Sequence, residues 1–164
     1  MMTGETRDNP GVIAPPPLII LAVILLGLLL DWLFPAFLLS VLLTLKQRIV
    51  IAVLLIGGGA CITLPAIRGF RSSGTHVEPW KPSTALVTDG IFSRLRNPMY
   101  VGATLFLVGL SILLASDWML VLTILFFLVM HFGVVKREER YLEAKFGDAY
   151  SDYKARVPRY GLPF

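Results

Sequence analysis

The sequence predicts an all-α fold: a polytopic membrane helical bundle of about four transmembrane helices with a C-terminal cytoplasmic interfacial helix. Three observations carry this. Of the 164 residues, 55% are hydrophobic and only 16% charged, with a mean hydropathy of +0.73, a balance typical of membrane proteins. Four stretches approach the roughly 20 apolar residues that a helix needs to cross ~30 Å of hydrocarbon. Twelve of the 15 Lys and Arg residues fall in two segments, 68–96 and the tail after 135.

Residues 1–16 form a flexible lead-in, closing on "NPGVIAPPP" at 9–17. The N-terminal transmembrane region, 17–67, holds two spans. The first, 17–34, carries Asp31 near its end, and it starts too late, without a basic leader or a small-residue cleavage site, to be a signal peptide. Pro35 separates it from 34–45, "FPAFLLSVLLTL", an interfacial piece or a helix extension. The second span, 49–67, has no Asp, Glu, Lys or Arg, and neither do the third (99–116) and fourth (118–135). The short link 115–117 makes the last two a tight hairpin.

Segment 68–96 holds Arg68, Arg71, Lys81, Arg94 and Arg96; the tail holds Lys136, Arg137, Arg140, Lys145, Lys154, Arg156 and Arg159. An even number of spans lies between them. The positive-inside tendency therefore predicts that both face the cytoplasm, with both termini on that side. In the tail, Leu142, Phe146, Tyr150 and Tyr153 recur on one helical face. This predicts a helix leaving the fourth span and lying along the membrane surface. Gly147 costs that helix about 1 kcal/mol relative to Ala, so it marks a point of breakage.

The composition removes several functions. Cys61 is the single cysteine, and His76 and His131 are too far apart for a helical pair, so no metal site is expected. The net charge of +4 flanks apolar segments instead of forming one patch, which argues against nucleic acid. "GGGAC" at 57–61 lies inside an uncharged span with no following Lys-Ser/Thr, so it reads as close helix packing and not as a phosphate loop.

What remains gathers at one membrane face. In "RLRNPMYVG", 94–102, Asn97 can cap a helix and Pro98 suits its first position. Tyr100 suits an aromatic belt, and Arg94 and Arg96 suit cytoplasmic anchors. His131 lies near the end of the fourth span, where an ionisable group is a functional candidate or an interhelical hydrogen-bond partner. Glu138 and Glu139 come directly after that span, their side chains about 100° apart on a helix. A surface anchor needs bases but no carboxylate at the mouth of a span. The arrangement suits a site where a water-soluble ligand meets a lipid-embedded one.

"GTHVEPWKPSTALVTDGIFSRLRNPMYVG" and "KREERYLEAKFGDAYSDYKARVPRY" resemble the integral-membrane methyltransferases that include isoprenylcysteine carboxyl methyltransferases and phospholipid methyltransferases. The likeness covers about 74–160, and the first two spans match only as apolar helices. It rests on L-V-x-x-G-I-F/Y, R-N/H-P-x-Y, E-E-x-x-L and F-G-x-x-Y-x-x-Y occurring in order. The resemblance implies that 68–164 is a methyltransferase core using S-adenosylmethionine on the cytoplasmic side. Carried over, the cofactor-binding residues are Leu86, Val87, Gly90, Arg96, Asn97, Pro98, Tyr100, Glu138 and Glu139, and no G-x-G-x-x-G motif is present.

Glu138, Arg96 and His131 are the expected catalytic residues. Glu138 would face the cofactor's cationic groups, and Arg96 its carboxylate, which arginine can hold bidentately. Two departures separate the chain from the carboxyl-methylating branch. Asn97 stands where that branch has His and cannot titrate near neutrality. Val134 stands where that branch has a basic residue holding the acceptor carboxylate, and His131, a turn further back, compensates only in part. The expected partners are membrane lipids and a lipid or small lipophilic acceptor entering between helices. The competing functions are a sterol-reductase-like membrane reductase using NADPH and a small non-enzymatic helical membrane protein.

Overall fold

The computed structural model describes residues 8–161 and is helical throughout its regular elements. Helix α1, Pro16–Leu33, starts with prolines in its first turn, where a missing N–H costs nothing. A separate short helix α2, Leu38–Leu42, resolves the 34–45 stretch: it does not extend α1. Helix α3, Leu45–Ser72, begins before the predicted span because Thr44 and Gln47 form a capping box, which satisfies two otherwise free N–H groups.

Helix α4, Pro98–Leu114, and helix α5, Asp117–Met130, form the expected hairpin. Ala115 closes α4 in the left-handed conformation, and the Ser116 side chain accepts from Met119 N to start α5. A π-helical turn, His131–Val135, joins α5 to helix α6, Lys136–Phe146. Helix α7, Asp148–Arg156, begins after Gly147 at φ +53°.

Among the described residues, three helices are long and apolar enough to cross a membrane: Pro16–Leu33, Leu45–Ser72 and the continuous Asp117–Phe146. Helix α4, at 17 residues, is shorter, about 25 Å at 1.5 Å per residue. It lies against α3 at a crossing of small residues. A Cβ on Gly59 would come within 2.8 Å of the Gly102 carbonyl oxygen, and one on Gly102 equally near that of Gly59. The packing reading of "GGGAC" thus rests on Gly59, since Gly57 and Gly58 face open space.

Helices α1, α4 and α5 share an apolar core around Val23, Leu107, Met119 and Phe126. At the end of the bundle bearing the α4–α5 turn, two carboxylates tie elements together. Asp117 accepts from Leu38 N at 2.8 Å and Leu39 N at 3.0 Å. Asp31 accepts from Ser116 Oγ and from Trp118 N. The charge inside the first span is therefore structural.

At the opposite end the helix continues out of the fourth span as far as Phe146, as expected. Gly147 breaks it, and the stripe of Tyr150, Tyr153 and Val157 turns inward onto Ala66 and Phe92.

Candidate functional site

The segment that opens α4 is held by the C-terminal tail. Arg96 N donates to Pro158 O (3.0 Å), and Asn97 N donates to Arg159 O (3.2 Å). Asn97 does not cap α4: its Nδ2 donates to Arg159 O at 3.3 Å, so the side chain serves the tail. The Tyr153 hydroxyl donates to Phe92 O at 2.7 Å, anchoring α7 beneath the 3-10 turn Gly90–Ser93.

Only Lys136 and Arg137 separate the π-turn from the acidic pair. Its wider winding changes the angular register of the helix beyond it, and the two glutamates face different partners. The Glu138 carboxylate, Oε2, accepts from the Tyr100 hydroxyl at 2.8 Å. Glu139, 6% exposed, sits between two guanidinium groups. Arg159 grips it bidentately, Nε to Oε1 at 2.9 Å and Nη2 to Oε2 at 2.6 Å. Arg96 Nη1 lies 3.0 Å from Glu139 Oε1. Arg96 is thus an ion partner of Glu139 through Nη1, while its buried Nε has no hydrogen-bond partner among the described residues.

Leu86, Val87, Arg96, Asn97, Glu138 and Glu139 line one polar cavity of about 40 Å³. Phe70, Phe92, Leu142, Tyr150 and Tyr153 complete its wall. Burial pushes the Tyr150 and Tyr153 phenols well above the ordinary tyrosine range, so both remain protonated.

Tyr100 belongs to a different chamber. An apolar cavity of about 470 Å³ opens among α1, α3, α4 and α5 and is roofed by Val77–Trp80. Tyr100 lines it, together with Ile20, Thr63, Met99 and Phe106. The two chambers therefore meet at the Tyr100–Glu138 hydrogen bond.

Three sequence candidates lie elsewhere. Gly90 opens the 3-10 turn, and Pro98 is buried at the first position of α4. His131 lines neither chamber: its Nδ1 is 2.9 Å from the Tyr160 hydroxyl. Arg159 was not among the candidates. It is 20 residues from Glu139, and only the reversal at Gly147 brings them together. Its weak sequence signal is a base in "VPRY" beyond an aromatic stripe.

Fold and site define a membrane-embedded helical bundle with a polar chamber at one face and an apolar chamber beneath it. The sequence matches the phospholipid methyltransferase family over residues 47–149. The chain belongs to that family and is an integral membrane protein. It is 33% identical over 135 residues to a Schizosaccharomyces pombe protein named protein-S-isoprenylcysteine O-methyltransferase, covering 79% of this chain and 55% of that one. The like-named Mus musculus protein is 33% identical over 108 residues, 65% of this chain and 38% of the other. A nickel-cobalt-cadmium resistance protein of Alcaligenes xylosoxydans is 32% identical over 80 residues, 49% of this chain and 37% of its own. The chain thus spans about half, or less, of these relatives. No solved structure gives a significant match.

Proposed function

We propose that the chain transfers a methyl group from S-adenosylmethionine to a lipophilic acceptor, with the transfer taking place where its two chambers meet. The observation that supports this most directly is the Tyr100–Glu138 bond, which joins a lipid-suited cavity to a charged, aromatic one. The family's name, and the methyltransferase names of two relatives, favour methyl transfer over reduction by NADPH or a non-enzymatic role.

The polar chamber's donors suit that cofactor. It offers the Glu138 carboxylate for a cationic group, and the Arg96 guanidinium, whose buried Nε makes no hydrogen bond among the described residues, for an anionic one. Phe70, Phe92, Tyr150 and Tyr153 offer aromatic surface to a purine. The free space of about 40 Å³ is close to one water's share of liquid, ~30 Å³. Binding therefore requires a wall to move, and the irregular segment 81–89, carrying Leu86 and Val87, is the wall with no helix holding it.

When bound, S-adenosylmethionine supplies an electrophilic methyl on a sulfonium. The residues then have to align and to exclude water. Alignment in well-oriented systems supplies roughly 7–11 kcal/mol of the barrier. The Arg96–Glu139–Arg159 cluster fixes the wall on which Glu138 stands, and Tyr100 fixes the Glu138 carboxylate. The basic segments 68–96 and 136–159 favour a cytoplasmic site and cytoplasmic termini.

The test is calorimetric binding of S-adenosylmethionine and S-adenosylhomocysteine to detergent-purified protein, with Glu138→Ala as control and NADPH as comparator. Micromolar binding lost in the variant is expected. Binding to NADPH alone, or to neither by folded protein, would overturn the proposal.

A further inference from the structure

We propose that Tyr141 is a positioning residue for cofactor entry: its hydroxyl holds the segment 81–89 closed over the polar chamber, and the chain's own N-terminal segment, at Asp8, sets that hold. This inference rests on the reading of the polar chamber as the S-adenosylmethionine site. It deepens that reading by naming what controls access to the site.

The N-terminal segment is strapped to the helix by contacts that follow one another in order. Ile13 N donates to Gly133 O at 3.3 Å, and a Cβ on Gly133 would strike the Ile13 side chain. Gly11 O accepts from Arg137 Nη1 at 2.8 Å. The Asp8 carboxylate accepts from Lys145 Nζ at 2.7 and 2.8 Å, and from the Tyr141 hydroxyl at 2.7 Å. Falling residue numbers in the strap meet rising numbers in the helix, so 8–13 runs antiparallel along the π-turn and α6. Gly11 N is held by Asn9 Oδ1, and Gly11 takes φ +60°, which lets the strap bend between these contacts.

The strap meets the segment 81–89 at one atom. A phenol has one proton to give and two lone pairs to receive with. Tyr141 gives its proton to Asp8 and receives from Lys145 Nζ at 3.0 Å and Ser83 N at 3.1 Å, so its capacity is full. Among the described residues, Ser83–Tyr141 is the one hydrogen bond from 81–89 to α6. The other bonds of that segment run to Gly74, Thr75, Glu78 and Phe92, its neighbours in the chain.

Both sides of the Ser83–Tyr141 bond lead into the chamber. Leu142, next to Tyr141, lines it, and so do Leu86 and Val87, just beyond Ser83. With its proton committed to an anion, the Tyr141 oxygen is the stronger acceptor for the Ser83 N–H. Without Asp8 the hydroxyl turns to water and the hold weakens. Asp8 is 58% exposed, so the hold is light and easily released. The hydrogen-bond partners of 8–13 include no residue that lines the chamber. The strap therefore acts on access and not on affinity.

The test compares the full chain in detergent with Tyr141→Phe, Asp8→Ala and the double variant. In the free protein, hydrogen exchange at 84–88, beyond the bond itself, is expected to quicken about fivefold in each single variant, the size of one exposed hydrogen bond. The double variant is expected to match Tyr141→Phe alone, since both changes act through one hydroxyl. On- and off-rates of S-adenosylhomocysteine are expected to rise together by about fivefold, leaving the dissociation constant within about twofold, because the segment closes over the empty and the filled chamber alike. Lys154→Gln, which breaks the exposed pair between Lys154 and Glu143 on the same helix, is the control and should change none of these.

Unchanged exchange at 84–88 in Tyr141→Phe or in Asp8→Ala would overturn the proposal. So would additive effects in the double variant, an on-rate that stays put while exchange quickens, or the same response in Lys154→Gln. Failure of the wild-type chain to bind S-adenosylhomocysteine would instead remove the methyl-transfer reading, and exchange in the free protein would still decide whether Asp8 and Tyr141 hold 81–89.

Discussion

Removing the Glu139 carboxylate would leave the Arg96 guanidinium, 8% exposed, beside a second guanidinium with nothing between them. Breaking a buried ion pair by deleting one partner costs about 3–5 kcal/mol. Arg159 is 29% exposed and can turn to water, so the low end applies. Glu139→Ala is therefore expected to destabilise the protein by about 3 kcal/mol, read as a lowered midpoint of thermal unfolding in detergent. Glu138→Gln gives the opposite pattern. Its amide oxygen still accepts from the Tyr100 hydroxyl and only the charge is lost, so stability changes by less than about 1 kcal/mol, while methyl transfer is abolished. Arg140 faces an open cleft on the far side of Glu139, so Arg140→Ala leaves transfer intact. Equal losses of activity in Glu138→Gln and Arg140→Ala would remove Glu138 from its role. The acidic pair was visible in the sequence, but its division of labour was not. That division depends on the π-turn before it and on a partner, Arg159, that the chain delivers from its far end.

At the scale of elements, the apolar runs in the sequence located the spans because hydrocarbon imposes length and composition on a helix. Capping is a local signal, so Thr44 with Gln47 could have placed the start of α3 from sequence alone. The fate of the tail could not be read so directly. Its stripe of Leu142, Phe146, Tyr150 and Tyr153 is equally satisfied by lipid or by protein, and only the reversal at Gly147 decides for protein. Helix pairing was legible only as far as "GGGAC", because the residue that matters opposite Gly59 is Gly102, and no local pattern names it. Gly102→Ala is expected to cost about 1–3 kcal/mol, the range for overpacking. Its Cβ would strike Thr63 Oγ1 and approach the Gly59 carbonyl oxygen. Gly57→Ala, facing open space, is the control and should leave unfolding unchanged. At the other end, Asp117→Ala frees the N–H groups of Leu38 and Leu39, and loss of such a cap costs about 1 kcal/mol. The expected signature is faster hydrogen exchange confined to α2, with α4 unaffected.

Across the whole molecule the two chambers differ in how they are walled. The apolar one is framed by four helices and already has about 470 Å³ of space. The polar one has about 40 Å³ and is closed on one side by the irregular segment 81–89. That segment is tied down lightly. Ser83 N donates to the Tyr141 hydroxyl at 3.1 Å, and Thr84 N donates to Thr75 Oγ1 at 3.0 Å. Opposite it stands α7, anchored by Tyr153 and by the backbone bonds of 158–159 to 96–97. Local opening free energies fall where buried contacts and backbone hydrogen bonds are few, so 81–89 is the wall that yields. Hydrogen–deuterium exchange should then show rapid exchange over 81–89 in the free protein and strong protection there when S-adenosylhomocysteine is added. Exchange in α7 should be slow in both states. Thr84→Val, which removes the bond from Thr84 Oγ1 to Gly74 O, loosens the wall without touching the chamber's lining. It should raise the on-rate of S-adenosylhomocysteine and leave protection in the bound state intact. Protection appearing first in α7, with 81–89 unchanged, would mean that the chamber opens on the tail side, and the light hold on 81–89 would then have no part in admitting the cofactor.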